Sequence, residues 1–145
     1  MASIRQVMID ISKEAKVCSE KVNMECARRG YLAANELRNA ELDVLGHAGN
    51  GRQYKNHRAS APGEPPAPRT GALRNRWTKR VSAVPTGNGV SIGIAIESDA
   101  MARNGAYYAG FLEHGTRKMS ARPFGDKIRD KAEPKIVEIY KRRYL

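Results

Sequence analysis

Between positions 4 and 44 the apolar or small residues fall at 4, 8, 11, 15, 18, 22, 26, 33, 37, 40 and 44, and Gly30 takes the one stripe position without a side chain. The mean spacing of about 3.6 is that of one face of a straight α-helix, not of a strict heptad seam. Ser3 is the expected N-cap, although Arg5 and Gln6 leave the first turn without an acid. Gly30 costs about 1 kcal/mol relative to Ala in such a helix and marks either a kink or a close crossing. A helix of about 40 residues is about 60 Å long, more than a 145-residue chain can cover along its length. Part of the stripe must therefore meet another chain, or the helix must break near Gly30 into an αα-hairpin.

The chain as a whole, 1–145, is the size of one domain with a single modest core. Its 41% hydrophobic and 28% charged residues are those of an ordinary soluble protein and not of a disordered one. The net charge of +11 is unevenly placed: residues 1–45 are neutral and 81–116 slightly acidic, whereas 46–80 carry +7 and 117–145 carry +6. Nucleic acid, an acidic protein surface or a solvated face each account for that pattern. Cys18 and Cys26 lie about 12 Å apart along one helix, too far to bond to each other. Both are expected as small buried apolar residues in a reducing compartment. No apolar run reaches membrane-span length and residues 1–5 hold no signal-peptide core, so cytosolic synthesis and no membrane partner are expected.

Residues 46–69 combine Gly46, Gly49, Gly51, Pro62, Gly63, Pro65, Pro66 and Pro68 with Arg52, Tyr54, Lys55, His57 and Arg58. The stretch has neither helical nor strand period, which predicts a long loop, either flexible or ordered by a partner. Thr70 caps a short helix over 71–77 that places Leu73 and Trp77 at i, i+4, with Arg69, Arg74, Arg76, Lys79 and Arg80 around the single Trp. Strands follow at 79–84 and 90–97 around the turn Thr86-Gly87-Asn88-Gly89, because Val90, Ile92, Ile94 and Ile96 alternate with small residues. Helical spacing returns from Phe124 through Ile128, Ala132, Ile136 and Ile139, with Pro134 expected to kink or divide that helix near Glu133.

Between hairpin and last helix lies a corner. Tyr108, Phe111 and Leu112 form one apolar face of a short helix, and Gly115 ends it in the left-handed conformation. A basic turn then leads through Arg122 and Pro123 to Phe124. The order Tyr108-Ala109-x-Phe111-Leu112-Glu113-x-Gly115-Thr116, followed by Ala121-Arg122-Pro123-Phe124, resembles the signature of the HK97 gp10 family of tailed-phage proteins. A second block, Ser60-Ala61-Pro62-Gly63-Glu64-Pro65-Pro66-Ala67 with Thr70-Gly71-Ala72-Leu73-Arg74, resembles the same family.

That resemblance implies a structural virion protein of the head–tail junction, or neck: a tail-completion subunit assembled as a homo-oligomeric ring. The ring would join the head-completion or adaptor protein to the tail terminator or tail tube. Six copies follow from the sixfold symmetry of tail tubes, with twelve, matching a portal, as the alternative. Non-specific contact with genomic DNA in the channel is compatible with such a ring. Subunit or partner contacts are expected from Arg52, Tyr54, Lys55, Arg58, Glu113, Arg117 and Arg122. Tyr108, Phe111, Leu112, Gly115, Pro123 and Phe124 are expected to fix the corner by packing.

Catalysis has little to draw on. His47, His57 and His114 are scattered without metal-ligand spacing, Gly87-Asn88-Gly89 sits between strands instead of before a helix, and no nucleophile elbow is present. No enzyme, cofactor or metal is expected. The competing readings are a basic nucleic-acid-binding module and an assembly factor absent from the finished particle. The expected fold is α+β: a long N-terminal helix and a kinked C-terminal helix packed on a small antiparallel β-sheet, with a third strand from 117–122 and a long central loop.

Overall fold

The computed structural model describes residues 4–145, the side chains of residues 4, 5 and 7 excepted; the Ser3 cap lies outside the described residues. The periodic stripe forms one unbroken helix, α1 (Ile4–Val44). After the central segment come α2 (Ala72–Asn75), the antiparallel pair β1 (Trp77–Thr86) and β2 (Gly89–Ser98), α3 (Ala109–His114) and α4 (Gly125–Lys141). The fold is α+β, with α1 as a spine between α4 and the hairpin.

Small residues set how closely the layers approach. Ala33, Ala34 and Ala40 are buried along the covered half of α1. At Gly30 an added Cβ would stand 2.9 Å from Ile92 Cγ2 and 3.0 Å from Val81 Cγ1, so this glycine marks a close crossing with both strands and not a kink. The core proper joins Ala40, Val44 and Leu45 to Phe124, Ile128 and Ala132, and Leu37, Leu73, Trp77, Ile96 and Leu112 pack against it. Trp77 meets Phe124 edge to face at 6.1 Å between ring centroids, the orientation favoured by the ring quadrupoles.

The hairpin keeps the predicted alternation: Val90, Ile92, Ile94 and Ile96 are half-buried, and Ser91, Gly93, Ala95 and Glu97 are exposed. Its register, Trp77↔Ser98 through Thr86↔Gly89, leaves a two-residue turn at Gly87-Asn88, the loop length that suits the twist of paired strands. Both strands extend beyond their expected ends. Trp77 begins β1 instead of closing a helix with Leu73, and its indole N–H donates to the Leu73 carbonyl across the junction.

Several expectations need correction. No third strand forms from 117–122; the segment contributes only a bridge, Thr116↔Met119, and the sheet has two strands. Pro134 does not divide α4, which runs through it. Asp130 and Pro134 are both exposed, so water can take up the carbonyl that the missing N–H leaves free. Phe111 is 53% exposed: α3 packs on the core through Ala109 and Leu112, at i, i+3, with Tyr108 half-buried at its start and Phe111 turned out. Gly115 has φ 76 and ψ 176, an extended positive-φ conformation open essentially to glycine alone, and not the left-handed helical cap. Cys18 is exposed, not buried, because nothing covers its part of α1.

The two phenylalanines of the corner should separate in a denaturant titration. Phe124→Ala, at a site 5% exposed, is expected to cost about 3–5 kcal/mol, and Phe111→Ala less than about 1 kcal/mol.

Candidate assembly interface

Every described side chain of α1 between positions 6 and 21 is exposed. That length of helix, about 24 Å, stands clear of the rest of the chain and carries the stripe residues Met8 at 63% exposure and Ile11 at 62%, with Cys18 exposed on the same face and Val17, at 45%, off it. Local support is slight: Gln6 donates to Asp10 and the Ser12 hydroxyl to the Met8 carbonyl. Isolated helices of this length are marginal in water. An exposed apolar stripe on such a helix is a candidate contact surface.

Cover begins where α1 meets the end of α4, and Arg29 makes that junction. Only 3% exposed, its guanidinium donates to the carbonyls of Ile139 (3.1 Å), Arg142 (2.7 Å) and Arg143 (2.7 Å) and to Glu25 (2.8 Å). It also lies 3.8 Å above the Tyr144 ring. A cation set against the last carbonyls of α4 satisfies groups the helix cannot pair itself and complements its dipole. Arg28 and then Arg29 hold the Glu25 carboxyl down, from its ordinary 4.5 to about 2. The other end of α4 is held by the opposite charge. Glu113, from α3, accepts the backbone N–H of Phe124 at 2.9 Å and of Gly125 at 3.1 Å. Nothing in the apolar stripe pointed to Arg29; the available signal was Glu25 and Arg29 at i, i+4 beside the crossing glycine.

Residues 46–69 are bound into the chain. Gly49 and Gly51 lie against the backbone of Ala59 and Ser60, where a Cβ at Gly49 would come within 2.2 Å of the Ala59 carbonyl oxygen. Glu64 accepts from the Ala61 N–H at 2.8 Å and from both the N–H and the side chain of Asn50, and these bonds lower its pKa. Three bonds then stitch the segment to the corner: Arg122 Nε to Ser60 Oγ (3.0 Å), Gly63 N–H to the Ala121 carbonyl (3.1 Å), and Lys127 Nζ to the Gly63 carbonyl (2.9 Å).

The expected contact residues fall into two groups. Arg52, Tyr54, Lys55 and Arg58 are exposed on a small turn closed by the Gln53↔Arg58 bridge. There Arg52 lies over Tyr54, Tyr54 stacks on His57 at 5.1 Å, and Arg58 donates to Gln53. Arg117 is exposed on the 116–119 turn. Glu113 and Arg122 also have partners within the chain: Glu113 Oε2 caps α4, and Arg122 Nε and Nη1 hold Ser60 and the Ser120 carbonyl.

Much of the positive charge is likewise engaged. Lys131 pairs with Asp43, Lys135 with Glu36, Arg80 with Glu97 and Arg142 with Glu138. Arg38 faces the fully buried Glu41, and burial together with neighbouring Arg74 lowers its pKa. Among the described residues no group of three or more His, Cys, Asp or Glu is placed to hold a metal ion. No helix among them is long and apolar enough to cross a membrane. Comparisons with family models, curated proteins and solved structures returned no match.

Arg29→Met is expected to destabilise the chain, since it leaves the Ile139, Arg142 and Arg143 carbonyls without their donor. Urea titration measures the loss, and hydrogen exchange should place it first in residues 139–145.

Proposed function

We propose that this chain is a ring-forming structural subunit of a tailed bacteriophage virion. On this reading it sits at the neck and joins the head-completion proteins to the tail terminator or tail tube. The observation that carries the reading is the uncovered half of α1. A stable subunit does not leave about 24 Å of helix with Met8, Ile11 and Val17 in water; a neighbouring copy covers it.

The resemblance supports the same reading. Its two blocks, separated in sequence by residues 75–107, meet through the Arg122–Ser60 and Gly63–Ala121 bonds. The residues that carry the resemblance therefore form one packed unit here, with the turn at 52–58 displayed beside it. In a ring, that turn and Arg117 face the partner rings, and six copies remain the favoured number over twelve. The paired bases on α4 favour a subunit over a free nucleic-acid-binding module, whose cations should stand open along one face.

Native mass spectrometry of the purified chain tests this. A closed ring, six subunits on the favoured count, is expected, and Ile11→Asp should return it to monomers with the helical circular dichroism of the covered core kept. A monomer that persists at about 100 µM, well above the micromolar affinities typical of specific assembly, contradicts the reading. Detection of the chain in purified virions separates a neck component from an assembly factor.

A further inference from the structure

A groove of about 730 Å³ runs between the central segment and the corner, within the size range of sites that enclose a ligand or several side chains. Its apolar lining is Leu45, Leu73, Leu112 and Met119, and its tyrosines are Tyr54 and Tyr108. Three arginines, Arg69, Arg74 and Arg122, line it too, and no carboxylate does. The acids on the neighbouring segments are already used: Glu64 by Asn50 and Ala61, Glu113 by the start of α4. Arg74 and Arg122 are positioned by donating to the Leu42 carbonyl and to Ser60. Arg69 is exposed and makes no hydrogen bond or ion pair among the described residues.

We infer that this groove is a docking site for an extended acidic segment of a different protein, with an apolar or aromatic side chain lying between carboxylates. Charge complementarity selects the sign of the occupant. The apolar lining selects a peptide over a nucleic-acid backbone, whose phosphates would meet the arginines but leave the leucines uncovered. Pro66, Ala67 and Pro68 on one wall form a stiff surface of low conformational entropy, suited to a chain laid along it. Arginine on carboxylate then supplies charge-assisted, bidentate hydrogen bonds that fix the register. A second copy of this chain is a poor occupant: residues 141–143, Lys-Arg-Arg, have the wrong sign, and residues 1–45 carry no net charge. The site goes beyond the ring reading and does not require it.

The probe is a fluorescent synthetic peptide of about eight residues, acidic with a central Leu-Phe pair, titrated with the full-length chain and followed by anisotropy. Saturable binding is expected. Replacing the peptide's acids by Lys, or its Leu-Phe by Gly, should weaken binding by about tenfold or more. Arg69→Glu and Tyr54→Ala, both at exposed positions, should each weaken it comparably, while Lys141→Glu at the far end of α4 should change it less than about twofold. Equal loss with Lys141→Glu would reduce the effect to diffuse charge and overturn the site. Absence of saturable peptide binding overturns it, as does a short DNA duplex whose binding depends on Arg69 more than the peptide's does. A ring that forms normally while the peptide fails to bind removes this proposal alone.

Discussion

A helix of 41 residues cannot be enclosed by the hundred or so that follow it, and the rest of the architecture answers to that mismatch. All of the intramolecular cover is concentrated on the C-terminal half of α1, where Ala33, Ala34 and Ala40 let α4 and the hairpin approach from different sides. Gly30 admits Val81 and Ile92 at the crossing, and Arg29 beside it locks the end of α4. Cover thins from there toward the N-terminus: Val22, Cys26 and Ala27 are half-buried and the Tyr140 hydroxyl donates to the Cys26 carbonyl, while from Lys21 back to Gln6 every described side chain is exposed.

The corner is the other half of the same device. α4 is held between Glu113 at its first N–H groups and Arg29 at its last carbonyls, so each unsatisfied helix end meets a charge of the sign its dipole favours. Such contacts contribute about 0.3–1 kcal/mol each at a surface and up to about 2 kcal/mol when partly buried, enough to fix the placement of one helix. Because Glu113 belongs to α3 and Arg29 to α1, α4 cannot move without disturbing both the corner and the spine. The groove lies against that corner, its Arg122 tied to the central segment through Ser60.

Period and turn chemistry made much of this legible from sequence. The stripe of α1, the alternation of β2 and the Phe124-led pattern of α4 each depend on local spacing. The mismatch between helix length and chain length followed from α1 alone. Side-chain direction was less legible: Tyr108, Phe111 and Leu112 all fit one helical face, yet Phe111 points outward because α3 has fewer than two turns and packs on the core through Ala109 and Leu112. Cys18 was misjudged for a related reason, since a stripe shows which face can be buried and not whether anything arrives to bury it. Glu113, Arg122 and Arg29 were beyond local reading. Their distant partners lie 11, 62 and 110 residues away, and a charged side chain gives no sign in sequence that it will be turned to backbone or hydroxyl groups at that distance.

In the proposed ring, residues 6–21 of α1 are the subunit contact. Hydrogen exchange by mass spectrometry on the assembled chain, compared with the same chain diluted to monomer, tests this directly. The account predicts that amides 6–21 exchange in the assembly nearly as slowly as those of the covered half of α1, and within seconds in the monomer, as expected of a helix held only by its own marginal stability. Fast exchange of that stretch in an intact assembly would contradict it.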